Sequence, residues 1–252
     1  MLTTLTPSLQ IYIFLIILLA ILGALNAFLP QGNYAGTIPD QQMPASKPVM
    51  AMVTAGLMLV VYGGLGYLGL RLAMNLGFPD IWDENVSIFQ RLVVPALVGV
   101  GVGIFFILVD SFFKKLHAFG ALPHPPFPTS IVASGVAGIG EEVFFRLFFI
   151  PFWMWLISKV VFQGNCPEGV FWGVAIFSAV VFSAAHLPAV MYLVNVQSIN
   201  QIPPILMAEI FILNSVVSIA AAFLFRKFGF LAAVSVHLWT DLIWHVLWGL
   251  LI

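Results

Sequence analysis

Apolar residues fill this chain in long blocks, separated by short linkers that are polar or contain proline. A helix that crosses a bilayer needs about 20 predominantly apolar residues, and about eight blocks approach that length. They lie at Leu9–Leu29, Val49–Leu70, Leu92–Phe112, Ser130–Leu147, Phe148–Phe162, Val170–Leu187, Ile205–Phe225 and Phe230–Leu251. The pattern therefore predicts an all-α fold, a polytopic transmembrane helical bundle of about eight spans.

Pro151 interrupts an apolar run that continues to Phe162, in which Ser158 and Lys159 are the polar residues. Proline has no backbone N–H, and inside a helix it kinks or ends the helix. We therefore expect Phe148–Phe162 to form a separate or a bent span.

Lysine and arginine in short loops favour the cytoplasmic side of a membrane. The polar or proline-bearing linkers are Pro30–Lys47, Arg71–Arg91, Lys114–Pro128 and Pro188–Pro204, and the first three contain Lys or Arg. With eight spans and both termini outside, six basic residues lie inside, namely Lys47, Lys114, Lys115, Lys159, Arg226 and Lys227. Arg71 and Arg91 then lie outside. We expect this arrangement, and the loss of one span would invert half of it.

The composition excludes several classes of protein. Hydrophobic residues make up 62% of the 252 positions and charged residues only 8%, against about 45–50% and about 25% in soluble domains. The mean hydropathy is +1.09. A net charge of −1 without a basic stripe argues against nucleic-acid binding. The single cysteine, Cys166, cannot form an intrachain disulfide. We expect one domain over residues 1–252, embedded in the lipid bilayer as a multi-pass protein of a prokaryotic cell membrane.

Charged residues inside the apolar blocks need an explanation, because a charge at the bilayer centre costs about 2.5–3.5 kcal/mol even on lenient scales. The residues in question are Glu141, Glu142, Arg146, His186, His237 and Asp241. Four others lie near predicted span ends, where we expect interfacial charges: Asp110, Glu168, Glu209 and Arg226. His245 stands beside Trp244 near the end of the last block, and we expect it to anchor the helix at the interface.

The first polar group is Glu141, Glu142 and Arg146. Adjacent helical residues point about 100° apart, so the two carboxylates cannot share a face. Glu142 and Arg146 are four residues apart and can form an ion pair. That pairing leaves Glu141 as an unpaired acid in a medium of low dielectric, which suits a general base. The alternative is that all three charges only hold helices together.

The second and third groups contain histidines. His186 alone is typical of a satisfied polar tip near a helix end. His237 and Asp241 are four residues apart, so the carboxylate can orient the imidazole and select its tautomer. Three such groups on different helices are costly unless they meet in a water-filled cavity. They therefore favour an intramembrane cavity with an active site.

At these residues the sequence resembles the CPBP family of membrane proteases, also called the ABI family, which includes the type II CAAX prenyl endopeptidases. The family pattern is E-E-x-x-x-R, then F-x-x-x-H, then H-x-x-x-[N/D]. Here it reads Glu141-Glu142-x3-Arg146, Phe182-x3-His186 and His237-x3-Asp241, in the same order. The resemblance implies a bundle with a conical cavity, in which residues 129–252 form the motif-bearing core and residues 1–128 supply the N-terminal spans.

The resemblance also implies an activity, hydrolysis of a peptide bond in a peptide or membrane-protein substrate. Glu141 and His186 would activate a water molecule, and His237 with Asp241 would stabilise the oxyanion. Glu142 and Arg146 would give structural support. CAAX endopeptidases resemble one another in having Asn where this chain has Asp241, and an ionised Asp cannot donate a hydrogen bond. Asp241 could act as a protonated donor, as the group that orients His237, or as a metal ligand, and we favour the orienting role.

Other readings follow from the same residues. Two Glu, two His and an Asp could bind a divalent metal such as Zn²⁺, although we expect no cofactor. Zinc proteases of the H-E-x-x-H type, aspartyl proteases built on Asp110 with Asp241, and serine proteases built on Ser183 fit the sequence poorly. A non-catalytic CPBP-type scaffold or bacteriocin self-immunity protein would not need both histidines. A small transporter would need a pair of broken helices.

Overall fold

A computed structural model describes residues 5–32, 45–163 and 168–252. These residues contain helices and no strand, and seven helices among them are long and apolar enough to cross a membrane. They are α1 (Pro7–Asn26), α2 (Lys47–Asn75), α3 (Phe89–Phe113), α4 (Thr129–Val161), α5 (Glu168–Leu193), α6 (Pro204–Phe228) and α7 (Phe230–Trp248). The predicted fold class is confirmed. Cys166 and positions 33–44 of the predicted linker Pro30–Lys47 lie outside the described residues.

The seven candidate spans of the described residues agree roughly with the predicted number of about eight, and the difference of one arises because α4 continues through Pro151. The helix changes from α to π geometry over Val143–Phe149 and returns to α geometry at Ile150. Pro151 therefore stands in the first turn of a new α-helical segment, where a missing N–H is tolerated. The carbonyl of Leu147 faces Gly69 of α2 so closely that a side chain at position 69 would overlap it. Phe148–Phe162 is thus not a separate span.

The number of spans also changes the expected orientation. Seven spans among the described residues would place the two chain ends on opposite sides of the membrane, whereas eight spans place both ends on one side. Alternation places five basic residues at one end of the bundle, namely Arg71, Arg91, Lys159, Arg226 and Lys227. Lys47, Lys114 and Lys115 lie at the other end. The larger group favours its end as the cytoplasmic one.

Helix α7 lies at the centre of the packing, against α3, α4 and α6. The hydroxyl of Thr240 on α7 donates to the carbonyl of Gly99 on α3 at 3.2 Å. On the other side, Gly138 of α4 meets the backbone of Leu238, where an added Cβ would lie only 3.3 Å from the Leu238 Cα. The small residue at position 138 thus lets α4 and α7 approach closely, and this brings the two glutamates of α4 beside His237.

The outer surface of the bundle is apolar. Large side chains such as Phe14, Val60, Leu97 and Ile176 are exposed on α1, α2, α3 and α5. In water such a surface would be an aggregation hazard, whereas lipid covers it without cost. Together with the seven long apolar helices, it identifies an integral, multi-pass membrane protein.

Two of the four expected interfacial charges are buried instead. Asp110 and Glu209 are 1% and 0% exposed. The Oδ1 atom of Asp110 accepts from the backbone N–H of Leu122 at 2.9 Å, and Oε2 of Glu209 lies 2.8 Å from Nε2 of His117. These contacts attach the loop between α3 and α4 to the bundle. The other two charges, Glu168 and Arg226, lie at the surface as expected and approach each other to 3.7 Å.

Candidate active site

A cavity of about 170 Å³ lies between α4, α5, α6 and α7, closed on one side by the loop before α4. Four predicted catalytic residues line it together: Glu141, His186, His237 and Asp241. The remainder of the wall is largely apolar. Side chains from the three polar groups of the sequence therefore meet in one cavity inside the helical bundle, as expected.

His237 is the most enclosed of the four, at 4% exposed. Its Nδ1 atom lies 2.7 Å from Oε1 of Glu142. Since an ionised carboxylate can only accept, Nδ1 carries the hydrogen and Nε2 points towards the other acids. Nε2 is 3.8 Å from both Glu141 Oε2 and Asp241 Oδ2. Glu142 therefore orients the imidazole, a role that the sequence had suggested for Asp241.

Glu142 and Arg146 form the expected i, i+4 ion pair. Arg146 Nε lies 3.1 Å from Glu142 Oε2, and both side chains are fully buried. The N–H is not aligned with the oxygen, so the contact is electrostatic rather than a hydrogen bond. Neither side chain lines the cavity. Both side chains lie behind the cavity wall, where Arg146 supports the Glu142 carboxylate that contacts His237.

The Phe182 ring lies between Arg146, His186 and His237, whereas the sequence pattern indicated it only as part of a motif. Its ring is 1% exposed, and the Arg146 guanidinium lies over it at 4.8 Å. Its ring centroid is 4.9 Å from that of His186 and 6.0 Å from that of His237. The spacing F-x-x-x-H was the signal that could have identified it, since i, i+4 side chains stack on one helix face.

His186 lies where α5 breaks. An α-helix from Glu168 ends at Ala185, and a short one covers Leu187–Leu193 with Pro188 in its first turn. The predicted linker Pro188–Pro204 therefore begins inside a helix. His186 Nδ1 lies 2.8 Å from the carbonyl oxygen of Phe182. A carbonyl only accepts, so Nδ1 carries the hydrogen and the neutral ring has its lone pair on Nε2.

The three acids of the site differ in access to solvent. The side chain of Glu141 is 33% exposed, that of Asp241 is 11% exposed, and that of Glu142 is fully buried. Within the described residues no side chain or backbone group donates a hydrogen bond to Glu141, and its carboxylate lies 3.8 Å from Nε2 of His237. Among these carboxylates, Glu141 is the one that a water molecule or a substrate reaches most easily.

Sequence reasoning missed two further polar residues of the cavity wall, His245 and Asn214. His245 is not an interfacial anchor, because its Nδ1 lies 3.1 Å from Nδ1 of His124 in the loop before α4. Burial lowers the pKa of His124 to about 4. The position of His245, eight residues after His237, was an available signal. Asn214 donates from Nδ2 to the Ile210 carbonyl at 2.8 Å.

The donors that a metal ion would use are N and O atoms of His237, Glu141 and Asp241. Within the described ranges, however, no group of three or more His, Cys, Asp or Glu residues has the arrangement of a metal site. His186 and His237 each use Nδ1 for a contact to a protein oxygen, which is also how metal-binding histidines are oriented. The absence of a bound metal therefore stays a prediction, which a chelator tests.

Comparison with known families addresses the same part of the chain. The family model of the Type II CAAX prenyl endopeptidase Rce1-like proteins matches residues 123–243. Residues 123–243 are therefore similar to that family. The Rce1-like segment contains all six predicted site residues, and it runs from the loop before α4 into α7, so that α1, α2 and α3 lie outside it. Searches of curated proteins and of solved structures found no match.

Proposed function

We propose that the protein is an intramembrane endopeptidase that hydrolyses a peptide bond with an activated water molecule. The observation that carries the proposal is the convergence of Glu141, His186, His237 and Asp241 on one cavity within a helical bundle. The similarity of residues 123–243 to the Rce1-like family supports the same reaction class. The substrate class is a peptide or a membrane protein whose cleavable segment enters the cavity.

In the proposed reaction Glu141 is the general base. Its carboxylate accepts a proton from water while the water oxygen bonds to the peptide carbonyl carbon. The neutral His186 presents the lone pair of Nε2 to the same cavity, so it can hold the attacking water by accepting its second hydrogen. When the tetrahedral intermediate collapses, the C–N bond breaks and the proton held by Glu141 passes to the leaving amine. A positioned base of this kind contributes about 10²–10⁴ in rate.

The carbonyl oxygen gains negative charge during the attack and needs a hydrogen-bond donor. His237 has Nδ1 occupied by Glu142, so a second proton on its ring would sit on Nε2 and face the cavity. We infer that Nε2–H is this donor. Asp241, 3.8 Å from Nε2, would then balance the charge of the protonated ring rather than choose its tautomer.

Other protease chemistries have less support from the structure. The hydroxyl of Ser183 is buried, donates to the Ala179 carbonyl at 2.9 Å and lies 3.1 Å from the Ser215 hydroxyl. Asp110, the possible partner of Asp241 in an aspartyl mechanism, accepts from Leu122 instead and is not part of the cavity wall. The water-based mechanism uses the residues that the cavity exposes.

The experiment uses the full chain purified in detergent and a proteome-derived peptide library read by mass spectrometry. Wild type should cleave a subset of peptides at internal bonds, and Glu141→Gln should cleave none of them. Glu168→Gln is the matched control, because that glutamate is 78% exposed and distant from the site. Equal cleavage by wild type and Glu141→Gln, or no cleavage by wild type, would contradict the proposal.

A further inference from the structure

A second pocket borders Glu141 on the side of α4 that faces α1 and α2. Asn26, Met58 and Tyr62 face Ala133, Gly140 and Glu141 across a volume of about 200 Å³. The residues of α1 and α2 in this wall lie outside the Rce1-like segment. Ala137 and Glu141 line both this pocket and the active-site cavity, so the two spaces meet at the proposed general base.

An endopeptidase must accommodate its substrate on both sides of the bond that it cuts. The active-site cavity lies on one side of Glu141, and the second pocket lies on the other. We propose that the second pocket is the subsite for the substrate residue on the amino-terminal side of the cleaved bond. This inference rests on the proposed function, and it extends the site to α1 and α2.

The polar groups of the two spaces determine which side of the substrate each one accepts. The described wall of the second pocket has one carboxylate, that of Glu141, the uncharged polar side chains of Asn26 and Tyr62, and no basic side chain. The active-site cavity shares Glu141 and adds Asp241, but it also has Asn214 and three histidines, which supply more hydrogen-bond donors. A substrate carboxylate is therefore favoured in the cavity and disfavoured in the pocket, which leaves the pocket for the amino-terminal side.

The same groups define the side chain that the pocket accepts. Oδ1 of Asn26 is buried and has no hydrogen-bond partner among the described residues, and a buried acceptor of this kind is costly to leave unpaired. The remaining wall comes from the Tyr62 ring with its hydroxyl and from small or apolar residues, namely Met58, Ala133, Val136, Ala137 and Gly140. The pocket thus fits an uncharged residue of moderate size that offers an N–H or O–H to Asn26, and it excludes Asp and Glu.

The local backbone of α2 agrees with a binding role. This helix changes to π geometry over Met58–Tyr62, and the first and last residues of that segment are the ones that line the pocket. Segments of π-helix are rare and occur frequently at functional sites. On α4, Ala133, Ala137 and Gly140 lie on one face, so their small side chains leave the space open.

The test compares the same substitution in the two spaces. Ala133 lines only the second pocket and Ala189 only the active-site cavity. For cleaved library peptides, Ala133→Leu should lower kcat/KM about tenfold or more when the residue before the cleaved bond is large, and little when it is Gly or Ala. Ala189→Leu should instead change the preference for residues after the bond. Asn26→Leu should remove any preference for a donor side chain before the bond.

Three results would overturn the inference. One is unchanged preference in Ala133→Leu with cleavage intact, and another is a uniform loss of rate for all peptides, as blockage of a water route would produce. The third result would come from an Ala133→Cys variant in a Cys166→Ser, Glu141→Gln background, in which the new thiol is the only one in the chain. A cleavable peptide should bind to this variant without being cut and protect the thiol from a small methanethiosulfonate reagent. Absence of protection rejects the subsite even if Ala133→Leu fails to fold. If wild type cleaves no peptide, the proposed function fails, and the subsite fails with it.

Discussion

Nδ1 of His237 donates a hydrogen bond of 2.7 Å to Oε1 of Glu142, a residue 95 positions earlier and on another helix. The second oxygen of the same carboxylate lies 3.1 Å from Nε of Arg146. One buried glutamate thus joins the ion pair of α4 to the imidazole of α7. It fixes Nδ1 of His237 in place and leaves Nε2 facing the cavity.

This relationship predicts unequal effects for two conservative substitutions. Glu142→Gln removes the buried charge that stabilises the protonated His237 ring, so we expect kcat to fall by about 10²–10³, as for loss of an oxyanion donor. It also leaves the buried Arg146 without its carboxylate partner, so the melting temperature should fall as well. Asp241→Asn leaves the contact between Glu142 and Nδ1 intact and should cost about tenfold or less, because the amide can itself donate to the oxyanion. Steady-state kinetics of both variants checks this. A larger loss in Asp241→Asn than in Glu142→Gln would show that Asp241 is the orienting group.

Glu141→Gln tests the general base. The amide has nearly the same shape but cannot accept a proton, so kcat should fall by about 10²–10⁴. The side chain is partly exposed and makes no ion pair closer than 3.8 Å, so the melting temperature should remain near that of wild type. Single-turnover kinetics and thermal unfolding in detergent measure the two effects. Cleavage at a rate near that of wild type would remove Glu141 from the mechanism.

Arg146→Ala tests the buried ion pair. Removal of Arg146 leaves the buried Glu142 carboxylate with His237 as its remaining partner, and loss of one member of a buried ion pair typically destabilises a protein by about 3–5 kcal/mol. We expect poor accumulation or a lower melting temperature. Arg226→Ala is the control, since its side chain is 35% exposed and its contact with Glu168 is 3.7 Å long, and pairs of that kind contribute about 0–1 kcal/mol. Equal stability of the two variants would mean that Arg146 carries no structural charge pair.

His124 predicts a pH dependence of stability. Burial lowers its pKa from 6.5 to about 4 in the folded protein. The unfolded chain therefore binds a proton that the folded protein does not, and the stability that is present above about pH 6.5 is lost as the pH falls towards about 4. Substitution of His124 by Phe should reduce this loss. Melting temperatures of wild type and variant across that range check it, and parallel curves would exclude His124 as a contributor.

Chelation tests the cofactor expectation. We expect EDTA to leave the rate unchanged, because the proposed mechanism uses only the side chains of the cavity and water. If Glu141, His237 and Asp241 instead hold a divalent metal, the chelator should abolish cleavage and Zn²⁺ should restore it. The assay needs a protein purified without histidine-tag chromatography, which would otherwise introduce metal.

Short-range rules were sufficient for part of this molecule. Block length and composition are properties of contiguous residues, so the helical membrane fold followed from the apolar runs. Glu142 and Arg146 are one helical turn apart, so their pairing could be predicted without knowledge of any other helix. The convergence of Glu141, His186 and His237 followed from a different argument, the high cost of isolated polar groups in a membrane.

Contacts between distant segments decided the rest. Pro151 does not end α4, because the π segment before it and the close approach of Gly69 accommodate the exposed backbone. Glu142, rather than Asp241, contacts Nδ1 of His237, because Gly138 lets α4 and α7 approach closely. The spacing of His237 and Asp241 along α7 contains no information about that contact. Asp110 and Glu209 looked interfacial by position alone, yet both are buried where the loop before α4 folds back on the bundle. In each case the partner lies far away in sequence, and a local pattern contains no information about which helices become neighbours.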